Sequence, residues 1–237
     1  MIRAVISLGT NSTRLLVIRD LPGGQAEQLE HRSIGTRLGE GLLERGALGE
    51  HAMRRTLDAI GTFVERARAH EASVEVIATS AMRRANNADA FAARVEGLCG
   101  APLSILSGDE EAASSFAGAT YAQNVALGRL AVLDVGGGST ECAVGRAQTL
   151  ERSLSIEIGA VRLAERFPRL LGTARPEEAI EEAAAARSFA REVLRPLRTL
   201  PPAAEVRAVA GTPLTLGAIV ASTDIDRVRG RVLTRVE

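Results

Sequence analysis

A gap-free internal repeat constrains this chain more than any other feature of its sequence. Residues 6–17 align on residues 133–144, and each copy is an apolar segment, a turn rich in Gly, Ser and Thr, and a second apolar segment. This pattern predicts one β-hairpin in each half of the chain. Because such a turn aims several backbone N–H groups at one point, it favours the binding of an anion. We therefore expect a phosphorylated ligand held between two similar lobes.

Composition supports this division and excludes several kinds of active site. The 237 residues are 46% hydrophobic, which is enough for two small cores. The 29 basic residues balance 29 acidic ones, so the sequence lacks the excess positive charge typical of a nucleic-acid-binding protein. All of these basic residues are arginines. The absence of lysine excludes a Walker-type P-loop, a Schiff-base lysine and a Ser–Lys pair. A phosphate must then be held by arginine, by backbone N–H groups or by a metal.

The cysteines and the first residues indicate a cytoplasmic protein. Cys99 and Cys142 lack a metal-ligand spacing, and Cys142 lies in an apolar segment typical of a reduced core residue. Met1 leads directly into a predicted strand without a signal-like segment, and no apolar run reaches membrane-spanning length. We expect neither a membrane nor a nucleic acid among the partners.

Hydrophobic periodicity predicts the element order β-β-β-α-β-α in each half. In the first half we expect strands at 2–7, 14–19, 26–34, 74–78 and 103–106, and helices at 50–69, 88–98 and 108–121. In the second half we expect strands at 130–135, 141–146, 149–156 and 206–210, and helices at 159–167, 176–195 and after 211. A glycine-rich loop is expected over 35–49 and a turn at Ser80. The predicted domains are 1–120 and 121–237, joined by a hinge.

Five segments, in order along nearly the whole chain, carry a resemblance to a known family. They are Leu8–Arg14, Ala78–Arg83, Ser107–Ala112, Leu133–Glu141, and Gly159–Leu163 followed by Glu165–Phe167. A weaker sixth is Gly211-Thr212. Together these segments resemble the Ppx/GppA family of exopolyphosphatases and guanosine pentaphosphate phosphohydrolases, a branch of the actin-like ATPase superfold. Any one glycine turn would be weak evidence, whereas five motifs in order are specific.

The resemblance implies an α/β fold with two ribonuclease-H-like lobes and an interlobe cleft. It implies release of terminal phosphate from inorganic polyphosphate, or of the 5′ γ-phosphate from guanosine pentaphosphate, with Mg²⁺ as cofactor. Family members continue beyond the position of Glu237, so we expect an incomplete second lobe, with residues 228–236 leading into a helix. An incomplete lobe exposes apolar surface, and we expect self-association as a homodimer.

The resemblance also implies roles residue by residue. Glu111 is the expected catalytic base, and Asp134 and Glu141 are the expected metal-binding acids. The expected substrate-binding residues lie in the two glycine turns and on two arginines: Gly9, Thr10, Asn11, Ser12, Arg14, Arg83, Gly136, Gly137, Gly138, Ser139 and Thr140.

The residues themselves give Glu111 partly independent support. Hydrolysis of a phosphoanhydride requires an aligned water and an acceptor for its proton. Ser107 and Glu110 match a capping box, so Glu110 is expected to turn back onto the helix end, whereas Glu111 is rotated by about 100° around the helix. From the helix pattern alone, an alternative stays open in which both glutamates are partners of the helix dipole.

Structural alternatives stay open for the other site residues as well. The glycine turns could be two ordinary hairpins, and Asp134 could bond to the backbone of its own turn. Arg83 could belong to a solvated helix start, although a cation there opposes the helix dipole and gains nothing locally. Arg14 could be a second arginine of the cleft or face outward.

Ser7 departs from the family pattern. The family usually carries Asp at this position, and the internal repeat marks the same place because Ser7 aligns on Asp134. A serine supplies no negative charge to a metal, so we expect weaker Mg²⁺ binding and slower turnover. The test is Ser7→Asp in a phosphate-release assay with titrated Mg²⁺, and no gain in rate or metal affinity would contradict the idea.

Three functions are compatible with these features. The leading hypothesis is a phosphoanhydride hydrolase of the Ppx/GppA type, and the competing one is a non-catalytic binder of polyphosphate or guanosine alarmones that has lost the metal acid at position 7. A sugar- or chaperone-type ATPase of the same superfold fits less well, because Ala78–Arg83 and Ser107–Glu111 point to Ppx/GppA. The lack of tryptophan and the single Tyr121 offer little for base stacking and favour polyphosphate.

Overall fold

The computed structural model describes residues 1–121, 128–172, 175–228 and 230. Contacts divide the chain into two compact units, each built from two stretches of sequence. Unit 1 consists of Met1–Gly108 and Val161–Ala183, and unit 2 consists of Asp109–Ala160 and Ala184–Glu237. The prediction for residues 228–236 falls almost entirely outside the described residues.

Unit 1 contains a five-stranded sheet with the order β3-β2-β1-β4-β5. Only β2 runs antiparallel to its neighbours, since β4 pairs in parallel with both β1 and β5. This is the topology expected of a ribonuclease-H-like lobe. The strands are β1 (Ile2–Leu8), β2 (Thr13–Asp20), β3 (Ala26–Ile34), β4 (Ser73–Ala78) and β5 (Leu103–Ile105).

The core of unit 1 lies between this sheet and two helices. Alternate residues of β1, namely Ala4, Ile6 and Leu8, are fully buried, as period-2 patterning requires. They belong to one apolar cluster with Ile60 and Phe63 of the long second helix. The helices are α1 (Leu42–Arg45), α2 (Glu50–Ala69), α3 (Ser80–Arg84) and α4 (Ala88–Cys99).

Unit 2 repeats the plan with a four-stranded sheet of order β8-β7-β6-β9. The parallel pair β6 and β9 corresponds to β1 and β4, and the described residues contain no strand that corresponds to β5. The strands are β6 (Arg129–Val135), β7 (Thr140–Arg146), β8 (Thr149–Ile156) and β9 (Glu205–Val209). In the described residues, the helices after β5 are α5 (Gly108–Thr120), α6 (Ala160–Arg166), α7 (Pro176–Val193) and α8 (Gly211–Ala221), and residues 161–183 of this stretch belong to unit 1.

Both faces of the second sheet are covered within unit 2. Ala112 and Phe116 of α5 pack against Leu130 and Val132, and Leu197 with its neighbours packs against the opposite face. Because α5 packs against the second sheet, contacts group it with unit 2, whereas the sequence-based division at 120/121 assigned it to the first domain. Short 3₁₀ segments occur at Pro22–Gly24, Pro168–Leu171, Arg195–Thr199 and Ile225–Arg227.

The predicted α/β class with two similar sheets is confirmed, and most predicted elements lie within two residues of the observed bounds. Two local features differ. The glycine-rich stretch 35–49 contains the single-turn helix α1, and the predicted turn at Ser80 is the five-residue helix α3. In the described part of the chain, every helix is too short or too polar to cross a bilayer.

Candidate functional site

The two glycine turns have the same backbone geometry. Strand pairing ends at Leu8 opposite Thr13 in unit 1 and at Val135 opposite Thr140 in unit 2, so each hairpin has a four-residue turn. In each turn the first N–H donates to the carbonyl of the fourth residue at 3.0 Å, from Gly9 to Ser12 and from Gly136 to Ser139. The sequence repeat is therefore a structural repeat.

Each turn also leaves consecutive backbone donors available. In the described residues, Thr10, Asn11 and Ser12 donate no N–H to a backbone carbonyl, and neither do the three corresponding residues of the second turn. A Cβ added at Gly9 would lie 2.9 Å from the Ser12 carbonyl oxygen, so glycine permits the tight closure. Successive N–H groups without backbone acceptors form the kind of concavity that binds anions.

The loop between β8 and α6 supports the second turn from behind. Ala160 N–H donates to the Gly136 carbonyl at 3.0 Å, and the Thr140 hydroxyl donates to the Ile158 carbonyl at 2.6 Å. A Cβ added at Gly159 would lie 2.5 Å from the Gly137 carbonyl oxygen and 2.6 Å from the Gly138 nitrogen. Only glycine at position 159 lets this loop lie directly against the peptide of the turn.

Two carboxylates stand opposite each other where β6 and β7 enter the second turn. Asp134 and Glu141 are direct cross-strand partners, so their side chains lie on the same face of the sheet. The Ser115 hydroxyl donates to the Asp134 Oδ2 at 2.5 Å, and the Ser155 hydroxyl donates to the Glu141 Oε1 at 2.7 Å. Serines from α5 and β8 thus fix the position of both acids.

Glu141 is a buried acid whose pKa is strongly raised. Its side chain is 1% exposed, and burial raises its pKa to about 7. The negative charges of Glu111 and Asp134 also raise this pKa, while hydrogen bonds from Ser155 and Ser139 oppose the rise. Perturbed acids of this kind cluster at functional sites more often than elsewhere.

Glu111 lies in the first turn of α5 and is half-buried, whereas Glu110 is exposed. It precedes Ser115 by four residues, which places both side chains on one face of the helix. That face is directed towards the second sheet, because Ser115 reaches Asp134 and the charge of Glu111 acts on Glu141. Unit 2 therefore brings three carboxylates and a glycine turn into one region.

The donor chemistry of this region fits a hard cation. Asp134 and Glu141 supply carboxylate oxygens, and Mg²⁺ is commonly bound by one or two carboxylates together with phosphate oxygens and water. A cation there would relieve the repulsion that raises the pKa of Glu141. In the part of the chain that the structure describes, no three His, Cys, Asp or Glu side chains form a ready-made metal site.

The remaining predicted residues lie in unit 1. Arg14 is half-buried on β2 and is the cross-strand partner of Ser7. Arg83 lies at the end of α3, and its guanidinium donates to the Leu106 carbonyl at 2.8 Å. Thr79 N–H donates to the Leu8 carbonyl at 3.2 Å, which places the start of α3 beside the first turn.

The structure thus gathers Glu111, Asp134, Glu141 and the 136–140 segment in unit 2, and Gly9–Ser12, Arg14 and Arg83 in unit 1. Sequence reasoning missed Ser115 and Ser155, which orient the two acids. The four-residue spacing from Glu111 could have identified Ser115, since such a pair shares a helix face. No local signal could have identified Ser155, because only strand pairing brings it to Glu141.

Comparison with known proteins identifies the family of this chain. The pattern of the Ppx/GppA phosphatase family matches residues 17–236. A curated relative from Vibrio vulnificus, named guanosine-5'-triphosphate,3'-diphosphate pyrophosphatase, is 34% identical over 76% of this chain and 36% of its own length. A relative of the same name from Vibrio cholerae is 35% identical over 69% of this chain and 33% of its own length. The chain thus spans about a third of the length of these curated relatives.

Solved structures give the same result. An exopolyphosphatase from Cytophaga hutchinsonii has a TM-score of 0.82 and 26% identity, covering 98% of this chain and 73% of that one. The Aquifex aeolicus Ppx/GppA family member has a TM-score of 0.76 and 27% identity, covering 99% of this chain and 75% of that one. The predicted resemblance is confirmed: this chain belongs to the Ppx/GppA phosphatase family.

Proposed function

We propose that this chain hydrolyses phosphoanhydrides and releases the terminal phosphate of an anionic substrate. The observation that carries the proposal is the arrangement in unit 2. There Glu111, Asp134 and Glu141 lie close to a turn whose second, third and fourth N–H groups have no backbone acceptor among the described residues. Donors of this kind hold phosphoryl oxygens, and a carboxylate beside them can receive a proton. Family membership supports the same chemistry.

In the proposed reaction Glu111 accepts a proton from the attacking water. The water oxygen forms a bond to the terminal phosphorus while the bridging P–O bond breaks, which yields orthophosphate and a substrate shortened by one phosphate. The N–H groups of the second turn hold the phosphoryl oxygens, and Ser115 keeps Asp134 in place. Protein catalysis of this reaction consists mainly of positioning and charge stabilisation.

We propose Mg²⁺ as the cofactor, held by Asp134 and Glu141. When bound, the cation supplies positive charge that neutralises phosphoryl oxygens. Two observations support this proposal. The carboxylates of Asp134 and Glu141 are cross-strand neighbours, and nearby negative charge helps to raise the pKa of Glu141.

Two substrates are compatible with the site, and we favour inorganic polyphosphate over guanosine pentaphosphate. The Vibrio relatives are named for the guanosine compound and the Cytophaga structure for polyphosphate. This chain has no tryptophan and a single tyrosine, Tyr121, so it offers few rings for stacking on a base. A side-by-side hydrolysis assay on both substrates, with and without Mg²⁺, decides between them.

The direct test of the proposed reaction is Glu111→Gln. The amide keeps the size of the side chain but cannot accept the proton, so we expect substrate binding within about twofold and turnover lower by about 100-fold or more. Glu110→Gln, next to it on the exposed side, is the matched control and is expected to keep most of the activity. Undiminished turnover in Glu111→Gln would refute the role of Glu111.

A second candidate, a non-catalytic binder of polyphosphate or guanosine alarmones, is favoured by Ser7. It requires the turns but not the acid that Ser7 replaces. Substrate binding without steady phosphate release from short polyphosphate at any Mg²⁺ concentration would support the binder and overturn the hydrolase.

We further propose a homodimer in the cytoplasm. Helix α8 supports the dimer, because Leu216, Ile219 and Val220 are exposed on it. The buried reduced thiols of Cys99 and Cys142 are compatible with the location. Light scattering of wild type and Ile219→Asp tests the dimer: we expect the variant to be monomeric, and a monomeric wild type would contradict the proposal.

A further inference from the structure

We propose that Arg32, Arg66 and His70, which surround the carboxylate of Glu30 in unit 1, form a binding site for a free tetrahedral oxyanion such as orthophosphate. These four residues, called the Glu30 cluster below, connect β3 to the C-terminal end of α2. None of them belongs to a glycine turn, so the site is separate from the proposed catalytic residues. The sequence motifs did not single out any member of the cluster.

The two arginines of the cluster share one carboxylate oxygen. Arg32 Nε donates to the Glu30 Oε1 at 2.7 Å, and Arg66 Nε donates to the same oxygen at 3.0 Å. The two nitrogens therefore lie no more than 5.7 Å apart, which is the sum of these distances. Arg66 also donates its Nη2 to the Glu30 Oε2 at 3.1 Å. One acid thus holds two guanidinium groups side by side.

His70 binds the same acid from the end of α2. Its Nε2 lies 2.9 Å from the Glu30 Oε2. Hydrogen bonds from Arg66 and Arg32 lower the pKa of Glu30 to about 2, so the carboxylate is ionised at neutral pH and can only accept. Nε2 of His70 therefore carries the proton of this bond, and both oxygens of Glu30 are engaged by the three side chains.

Burial separates the acid from the arginines. The Glu30 side chain is 9% exposed, whereas Arg32 is 56% exposed and Arg66 is 46% exposed. An anion that arrives from solvent therefore meets the guanidinium groups and not the acid that holds them. In the described residues β3 pairs only with β2, so no further strand covers its outer edge, and Arg32 donates only through Nε. Its two terminal nitrogens remain available for a ligand.

The charge and shape of the cluster fit a divalent oxyanion. Two guanidinium groups and one carboxylate leave one positive charge, and His70 adds another when it is protonated. Like charges this close repel each other, so a second anion beside the arginines stabilises the arrangement. The planar guanidinium presents parallel N–H groups that match two oxygens of a phosphate. If the cluster only joined β3 to α2, these outer N–H groups would bind nothing.

A nearby ion pair provides a matched control. Arg19 on β2 donates to the Glu27 carboxylate of β3 at 2.8 Å, and both side chains are 48% exposed. This pair has one arginine and one acid of equal exposure, so it carries no excess positive charge. Arg19→Gln therefore removes an exposed arginine from the same hairpin without removing a member of the Glu30 cluster.

The test is titration of the ¹⁵N-labelled whole chain with sodium phosphate, at an ionic strength kept constant with sodium chloride. Amide signals of residues 30–32 and 66–70 report on the cluster, and those of residues 9–12 and 136–139 report separately on the glycine turns. We expect saturable shifts in the first group with a Kd on the order of 1 mM, because a few charge-assisted hydrogen bonds hold an exposed ion. Sulfate has the same shape and charge and is expected to compete.

Substitutions then assign the shifts to the arginines. Arg32→Gln and Arg66→Gln are each expected to raise the Kd for phosphate about tenfold, because each removes a charged donor. Arg32→Lys keeps the charge but not the planar fork, and is expected to retain part of the affinity. Arg19→Gln is expected to leave the Kd within about twofold of wild type. Thermal melts confirm that each variant is folded.

Several results would overturn the proposal. These are absence of shifts at the cluster, an unaltered Kd in Arg32→Gln, an equal loss in Arg19→Gln, and failure of sulfate to compete. Shifts at the cluster with inorganic tripolyphosphate but not with orthophosphate would assign it to a longer chain and overturn the free-ion site.

Phosphate release from tripolyphosphate with Mg²⁺ separates this inference from the proposed function. Arg32→Gln is expected to leave that rate unchanged, because Arg32 is not among the proposed catalytic residues. Phosphate binding at the cluster in a chain without turnover would refute the hydrolase and leave this site standing. Turnover without phosphate binding at the cluster would refute this site alone.

Discussion

The two hairpin turns share a backbone but differ in charge. Each has four residues, the same 3.0 Å closing hydrogen bond and three following N–H groups without backbone acceptors in the part of the chain that the structure describes. At the base of the first turn stand Ser7 and Arg14, and at the base of the second stand Asp134 and Glu141. The same turn conformation, used twice, thus stands beside a serine and an arginine in unit 1 and beside two acids in unit 2.

The surroundings of the turns differ as well. Around Asp134, the strand face is covered by Ala112 and Phe116 of α5, the helix that also carries Glu111 and Ser115. Around Ser7, the corresponding face has the half-buried Val5 and Arg14. Burial beside other acids raises the pKa of Glu141 to about 7, so position in the fold, and not residue type alone, sets the chemistry of the second turn.

Giving the second turn the residue that the first turn has at its base, serine in place of Asp134, is expected to have the largest effect on activity. Asp134→Ser removes a carboxylate that we assign to the metal, so we expect Mg²⁺-dependent phosphate release to fall about 100-fold or more. Asp58→Ser, at an exposed acid of α2, is the control. If Asp134→Ser retains the wild-type rate and Mg²⁺ dependence, the acidic character of the second turn is not required.

Glu141→Gln tests the raised pKa through stability in EDTA. The folded state retains the Glu141 proton up to about pH 7 and the unfolded chain only to its ordinary value of 4.5, so the free energy of unfolding of the wild type falls as pH rises through this window. The difference corresponds to at most about 3 kcal/mol. Glu141→Gln is expected to be more stable than wild type at pH 8 and equal to it at pH 4.

Urea denaturation across pH provides the measurement for this prediction, with Glu181→Gln on the exposed face of α7 as control. A stability difference between wild type and Glu141→Gln that does not change with pH would show that burial does not penalise the charge of Glu141.

Glycine-to-alanine substitutions at Gly159 and Gly39 compare the two segments that pack against the glycine turns. A Cβ at position 159 meets the peptide backbone of Gly137 and Gly138, whereas a Cβ at position 39 meets the Thr10 methyl group. Backbone yields less readily than a side chain, so we expect Gly159→Ala to cost about 2–3 kcal/mol of stability and Gly39→Ala about 1 kcal/mol. Equal losses in chemical denaturation would show that the two supports are equally adaptable.

Ser115→Ala is expected to have the smallest effect. It removes the 2.5 Å hydrogen bond to Asp134 without removing a charge, so we expect the Mg²⁺ concentration for half-maximal rate to rise about threefold while the substrate KM stays constant. Ser114→Ala is the control, because the Ser114 hydroxyl donates to the Glu110 carbonyl within α5. A KM increase instead, or no rescue by Ser115→Thr, would contradict a role in positioning Asp134.

Local sequence patterns predicted the elements whose formation depends on residues close together in the chain. The hairpins follow from alternating apolar residues around glycine turns, and α2 follows from the helical spacing of Met53, Ile60 and Val64. Pro176, followed by two glutamates, predicted the start of α7. The repeat of residues 6–17 in residues 133–144 predicted two equivalent turns, and the candidate acids were named from motif resemblance.

Contacts distant in sequence were not predictable in this way. The assignment of α5 to unit 2 depends on Phe116 packing against a sheet that forms later in the chain. Glu165 accepts a hydrogen bond from Gly41 N–H at 2.5 Å, across 124 residues of sequence. The placement of Arg37 beside Asn11 depends on a loop conformation that no periodicity encodes.

The sequence by itself determined that two equivalent turns exist, that one carries Ser7 and the other Asp134, and that lysine takes no part in binding. These are properties of residue identity and short-range spacing. Only the tertiary structure decided that Ser115 and Ser155 hold the two acids, that Gly159 lies against the second turn, and that the pKa of Glu141 rises to about 7. Burial and charge interaction depend on what surrounds a side chain in space, and that is fixed only when the strands and helices pack.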